Sequence, residues 1–421
     1  MQLEIGFGTT PQMFEIPDKN LIDILGPNNV QVYDKGVSSV ETALQNPICS
    51  PKLSEIIKPD EKITIITSDI TRPIPSHRII PPILAELETI GVSLDCVTVV
   101  FALGIHRKHT PEEMKSLVGS TVYEKVMCID SDPDDFVHMG TTKMGTPVEI
   151  TRIVAEADRR IGIGNIEYHY FAGYSGGAKV IMPGVSTRAA IQANHRYMVL
   201  PEASSGQLIG NPVREDIEEA LLYCPLDFIV NVVLDEHKEI VFSVAGDAVF
   251  AHREGCRFLD KLYKKKIVTK ADIVIASQGG APKDLNLYQT QKALDNAKNA
   301  VKKGGVIILV GSCREGLGDE TFEEWMTTAK DTKSMIIRIQ RDFQLGGHKA
   351  AAIAMILEDV DVYLVSEMER EFVERIHLKP FALVQDALNA AFEKLGKDAS
   401  VLIMPNAGST LPVWQLPAFT A

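Results

Sequence analysis

Short runs of β-branched and apolar residues recur along this chain, and most lead into a loop followed by a helix start. They lie at residues 61–67, 94–101, 157–164, 271–276, 305–311, 361–365 and 400–404. Strands that alternate with helical segments are joined by crossovers, which favours parallel sheets covered by helices. The expected fold class is therefore α/β: two α/β domains with mainly parallel sheets and an active-site cleft between them. At 421 residues the chain is too long for one ordinary core. The boundary is expected near residue 267, with a first domain over 1–266, a second α/β domain over 267–405, and a tail over 406–421 returning to the first. In open α/β sheets ligands bind beyond the carboxyl ends of the strands, so the loops after these runs are where chemistry is sought.

Composition narrows the classes. A net charge of −13 argues against a nucleic-acid surface. The local basic run Lys264-Lys265-Lys266 reads as a solvated helix end or linker. With 45% hydrophobic and 24% charged residues and no apolar run long enough to cross a bilayer, no membrane association is expected. The first residues lack the basic and apolar regions of an export signal. Six cysteines without a C-x-x-C pair suggest neither a disulfide framework nor a cysteine zinc site, so a reducing cytoplasm is the expected location.

Several loops carry chemistry. After 61–67 come Ser68, Asp69, Ile70, Thr71, Arg72 and Pro73, where Arg72 offers a planar bidentate donor to a carboxylate or phosphate and Asp69 an acceptor for ribose hydroxyls. A helix cap at Ser68 or Asp69 is the plainer reading. After 94–101 comes Gly104-Ile105-His106-Arg107, then Thr110-Pro111-Glu112-Glu113, a strong helix start. After 157–164 the stretch 165–197 gathers His169, the turn Gly173-Tyr174-Ser175-Gly176-Gly177, Lys179, Pro183-Gly184 and His195. Such a turn can present N–H groups to a phosphate. It is not a nucleotide-triphosphate loop, because Ala178 separates Gly177 from Lys179 and Val180 follows. A pyridoxal-bearing lysine and a plain structural turn stay open. In the second half, Tyr288 and Lys292 share one face of a helix with Gln289 beside it.

The stretch 165–197 resembles the nickel-pincer lactate racemase family in both composition and spacing: a histidine, a glycine turn ending in a lysine, Pro-Gly, then a further histidine. The likeness extends to Asp69-Ile70-Thr71-Arg72-Pro73, to Gly104-Ile105-His106-Arg107 with Thr110-Pro111-Glu112-Glu113, and to Tyr288-Gln289 with Lys292. It implies His106 and His169 as the two catalytic acid/bases. Lys179 would carry the pyridinium-3-thioamide-5-thiocarboxylate mononucleotide, with Asp69, Thr71, Ser175, Gly176 and Gly177 contributing to its binding. His195 would be the nickel ligand, since a single imidazole suits a late first-row metal. Arg72, Tyr288, Gln289 and Lys292 would hold the substrate carboxylate. His109 and Arg107 carry no such likeness, and His138 and His348 read as a surface and a helix-start residue.

The chemistry expected is inversion at C2 of a 2-hydroxy acid, lactate or a relative. Direct proton abstraction there is difficult because the adjacent carboxylate barely stabilises a carbanion, whereas hydride removal leaves a stable 2-keto acid. Two histidines on opposite faces, of suitable acidity near neutrality, would manage the hydroxyl proton. Cofactor-synthesis proteins are the implied maturation partners. Competing readings are an epimerase of a larger aromatic, dicarboxylic or sugar acid, a pyridoxal-dependent lyase, and a protein that only binds the nickel cofactor.

Overall fold

The computed structural model describes residues 1–72 and 74–414, and the chain forms two compact units. One is Val30–Lys261; the other combines Met1–Asn29 with the chain from Leu262 onward.

The Val30–Lys261 unit holds a six-stranded sheet in the order Ile240–Gly246, Phe228–Leu234, Arg159–Asn165, Ile63–Ser68, Val97–Ala102, Met127–Asp130. All neighbouring strands are parallel except the first two, which form an antiparallel pair. Residues 63–67 are buried without alternation, as expected of a central strand covered on both faces. The helices Val37–Gln45, Ser76–Thr89 and Pro111–Val118 bring Val40, Leu44, Ile79, Ile83, Leu87 and Val118 into one core with Ile65, Val99, Phe101, Ile161 and Val230. Each such side chain contributes about 1.5–3 kcal/mol on burial. From Ile63–Ser68 the chain steps outward to Val97–Ala102 and Met127–Asp130, then returns to the other side of Ile63–Ser68 with Arg159–Asn165. The strand order therefore reverses between Ile63–Ser68 and Arg159–Asn165; the loops leaving those two strands carry Asp69, Arg72 and His169, and the loop after the adjacent Val97–Ala102 carries His106.

The second unit has a six-stranded, wholly parallel sheet in the order Lys379–Phe381, Asp361–Val365, Val301–Val310, Ala271–Ser277, Val401–Met404, Leu21–Ile24. Its outer strand Leu21–Ile24 comes from the start of the chain. The hairpin of Gln2–Ile5 and Gln12–Glu15 likewise sends Ile5 and Phe14 into the core with Ile273, Val306, Val384 and Leu388. Residues 1–29 thus belong with the second sheet and not with a first domain over 1–266, because they complete its edge and bury their apolar side chains there. At the other end, Leu411–Trp414 pairs in parallel with Lys264–Ile267. That pairing keeps residues 411–414 in this unit instead of returning them to the first. It also makes the basic run a strand, since main-chain hydrogen bonds place no demand on its side chains. Pro73 and residues 415–421 of the expected tail lie outside the described residues. Among the described residues no helix is long and apolar enough to cross a membrane.

Candidate active site

Asp69 follows directly on the strand Ile63–Ser68 and is buried; its carboxylate takes a 2.6 Å hydrogen bond from His106 Nδ1 and a second, at 2.9 Å, from the Thr71 hydroxyl. Burial by itself raises the pKa of Asp69, but the hydrogen bond and charge of His106, with Thr71 and Arg72, outweigh it and hold the carboxyl below its ordinary value. An ionised acceptor on Nδ1 requires the proton there, which leaves the His106 lone pair on Nε2. Asp69 and Thr71 therefore orient a histidine. His109, which carried no motif, is buried close by: Nδ1 meets Asp130 at 2.6 Å and Nε2 accepts from the Ile70 N–H at 3.0 Å. It pins the backbone next to Asp69.

The second cluster forms around Phe171. The ring of His169 lies 4.5 Å from it and that of His195 4.8 Å, centroid to centroid, while Lys179 Nζ sits 5.8 Å from its centroid. Three residues singled out by sequence spacing thus share one aromatic neighbour. His169 also stacks on Tyr170, and its Nδ1 accepts from the Ala172 N–H at 3.3 Å, which puts its proton on Nε2. Burial, followed by the charges of Lys179, Arg72, His195 and Arg214, pushes His169 well below 6.5. The near-neutral acidity expected of it is thereby corrected: this ring is held neutral. Burial and the charges of Arg214 and Arg72 similarly push Lys179 well below 10.5, favouring the neutral, nucleophilic amine. Arg72 itself is exposed, so its charge reaches both groups while its guanidinium stays accessible.

The glycine turn is tied to its own chain. The Ser175 N–H donates to Glu167 O and the Gly177 N–H to Asn231 Oδ1, at 2.9 and 2.7 Å, and the Ser175 hydroxyl donates to Asn165 O. Those bonds make Ser175 and Gly177 shape the turn. Gly177 has φ +60°, and a Cβ there would lie 2.8 Å from the His252 ring; one on Gly176 would lie 2.8 Å from Asn231 Oδ1. The turn is gripped from beneath by Arg214, fully buried, whose guanidinium donates to the carbonyls of Ala172, Tyr174 and Gly176. Arg214, Asn231 and His252 escaped sequence reading because nothing marks residues 40 to 80 positions away as partners of this turn. Phe171, lying between His169 and Lys179, was at least within the motif.

His195 ends the helix Arg188–His195, capped by the Thr187 hydroxyl, and is buried. In the second unit, Asn286 caps the helix Leu287–Ala297 by accepting from the Gln289 N–H. Gln289 and Lys292, three residues apart, are both exposed on it, and Tyr288 is half-buried against Phe322 with the Lys349 ammonium 4.5 Å from its ring centroid. Lys349, another residue without a motif, donates to Tyr288 O and Gln291 Oε1. His348 stands at a helix start, as expected, its Nδ1 accepting from the Gly346 N–H.

Residues 7–206 match the lactate racemase N-terminal domain and residues 266–411 the lactate racemase C-terminal domain. The lactate racemase of Thermoanaerobacterium thermosaccharolyticum is 34% identical over 423 residues, spanning 97% of this chain and 98% of that protein. The chain belongs to the lactate racemase family. It is therefore an isomerase of the racemase class. The lactate racemase of Lactiplantibacillus plantarum is 35% identical over 378 residues, covering 87% of this chain and 89% of its own. The solved apoprotein of the T. thermosaccharolyticum lactate racemase superposes with a TM-score of 0.91 at 32% identity, covering 98% of this chain and all of that one. A Thermotoga maritima protein shares the fold, with TM-score 0.65, 19% identity, and coverage of 91% of this chain and 100% of its own.

The residues present fit the nickel-pincer nucleotide of this family. Lys179 offers an amine of lowered basicity, and the guanidinium groups of Arg72 and Arg214, whose charges act on it, make a cationic setting suited to a phosphorylated, carboxylate-bearing group. Asn165 Oδ1, at the carboxyl end of Arg159–Asn165, and Asn231 Nδ2, midway along the neighbouring strand Phe228–Leu234, are buried polar atoms without a hydrogen-bond partner. Among the described residues no three of His, Cys, Asp or Glu group as a metal site.

Proposed function

We propose that this protein racemises lactate or a close 2-hydroxy acid by hydride transfer, with the nickel-pincer nucleotide tethered through Lys179 and nickel held by His195. The observation that carries the reading is the gathering of His169, Lys179 and His195 around Phe171 beside the cationic side chain of Arg72. When bound, the cofactor supplies the hydride acceptor that a carbinol C–H requires. Everything else is work for the chain. Arg72 binds the substrate carboxylate through its exposed guanidinium. His106 takes the hydroxyl proton at Nε2, and Asp69 stabilises the imidazolium that forms. His169 serves the opposite enantiomer. Its resting tautomer donates from Nε2, so taking a proton there requires its 3.3 Å contact with the Ala172 N–H to open and the ring to change tautomer.

The deciding experiment is production alongside the cofactor-synthesis proteins, followed by intact mass, nickel analysis and a chiral assay with L-lactate. A mononucleotide-sized adduct on Lys179, about one nickel per chain and appearance of D-lactate are expected. Unmodified Lys179 and no D-lactate under those conditions would remove the proposal. Adduct and nickel without lactate turnover would redirect the search to larger 2-hydroxy acids.

A further inference from the structure

We propose that Asn194 and Asp216 act as positioning residues that lock His195 in the Nδ1–H tautomer, so that Nε2 carries the lone pair for nickel. This rests on the reading of His195 as the metal ligand.

The argument is one of donor and acceptor polarity. Asp216, on the helix Pro212–Glu219, is buried and receives hydrogen bonds from the Thr142 hydroxyl, the Thr146 hydroxyl at 2.7 Å and Asn194 Nδ2 at 2.7 Å. The Thr142 oxygen already accepts from the Thr146 N–H at 3.1 Å, so its own proton is directed to the carboxylate. Asn194 Nδ2 makes a second contact, at 3.2 Å, with the carbonyl of Val213. Both partners of this Asn194 atom, a main-chain carbonyl and a carboxylate oxygen, are acceptors. The amide cannot be turned round without setting oxygen against oxygen twice. Its Oδ1 therefore faces His195 Nδ1, 2.9 Å away, and an acceptor there requires an N–H on that ring nitrogen.

Burial makes the relay rigid. Asn194 and Thr146 are 0% exposed, Asp216 1% and Thr142 4%, so water cannot readily substitute for any of these partners. The polarity begins in the tight turn between the strands Phe136–Thr141 and Pro147–Thr151, passes through one helix and ends in the last turn of another. The outcome is opposite to that at His169, whose Nδ1 accepts from the Ala172 N–H and whose Nε2 bears the proton. Two histidines flanking Phe171 are thus held in opposite tautomers, one presenting a lone pair and the other a proton.

The test is a long-range 1H–15N correlation spectrum of the ring nitrogens in histidine-labelled protein without cofactor at about pH 8, where neutral imidazole dominates. His195→Gln identifies the resonances of interest. In the wild type His195 is expected to be protonated on Nδ1 alone; in Asn194→Leu the Nε2–H form should appear. Nickel loss from cofactor-loaded Asn194→Leu should be about 10–100-fold faster than from wild type. A wild-type His195 protonated on Nε2 overturns the proposal, and this needs no variant to fold. An unchanged tautomer in Asn194→Leu, or a changed tautomer with unchanged nickel retention, overturns it as well. Nickel content of loaded His195→Ala tests the underlying ligand reading separately. If that variant keeps its nickel, the ligand assignment fails and with it the role of the relay, whatever the spectrum shows.

Discussion

His106 and Asp69 are separated by 37 positions and joined by a 2.6 Å hydrogen bond, and the chemistry of each depends on the other. Asp69→Asn is expected to lower kcat by roughly 10²–10⁴-fold with little change in nickel content, because a neutral amide cannot stabilise the imidazolium as a carboxylate does and can turn its NH2 to the ring; steady-state lactate racemisation on loaded protein measures it. His106→Ala and His169→Ala should each abolish turnover with nickel retained, whereas Lys179→Ala should lose the cofactor adduct by mass. Full activity in either histidine variant would end the two-base reading. Acidity adds a stability prediction. His169 and His252 are both pushed well below 6.5 by burial, so the unfolded chain takes up protons that the folded chain refuses as pH falls below about 6.5. Stability from this source is complete above that pH and declines below it, and Lys179, also depressed, contributes with the same sign. The urea midpoint should fall between about pH 6.5 and 5, and His252→Gln, which keeps a donor without titrating in this range, should shallow the slope.

At the scale of elements, the glycine turn is the most informative piece. Gly177 combines φ +60° with a Cβ position 2.8 Å from a buried ring, so Gly177→Ala should cost about 1–3 kcal/mol in denaturant unfolding. Arg214→Met leaves the carbonyls of Ala172, Tyr174 and Gly176 without that donor, and about 3 kcal/mol or more is expected for three buried acceptors. Loss of the Lys179 adduct in this variant would tie the clamp to cofactor retention. Helix starts marked by side-chain caps were legible: Thr110 with Pro111 and Glu113, Thr187, and Asn211 with Pro212 all cap where their residue types direct. The helix Ser76–Thr89 was less so. It runs through Pro81 and Pro82, residues that disfavour a helix interior, because burial of Ile79, Ile80, Ile83, Leu84 and Leu87 outweighs two missing N–H groups.

At the scale of the whole molecule, the start of the chain supports the second sheet. Deleting residues 1–29 removes the edge strand Leu21–Ile24 and the core side chains Ile5, Phe14 and Ile16. Hydrogen exchange should then rise in Ala271–Ser277, Val401–Met404 and Val384–Leu395 while Ile63–Ser68 and Phe228–Leu234 stay protected. Uniform loss of protection in both units would contradict this assignment. The sequence by itself determined the α/β class, the central strands of both sheets, and the segments bearing Arg72, His106, His169, Lys179 and His195, because β-branched runs, caps and glycine turns act over a few residues. Only the tertiary structure decided that residues 1–29 close the second sheet, that the basic run at 264–266 is a strand, that Asp69 serves His106, and that Asn194 and Asp216 orient His195. Each of those depends on a partner distant in the chain, and hydrogen-bond polarity and edge pairing leave no periodic trace in sequence.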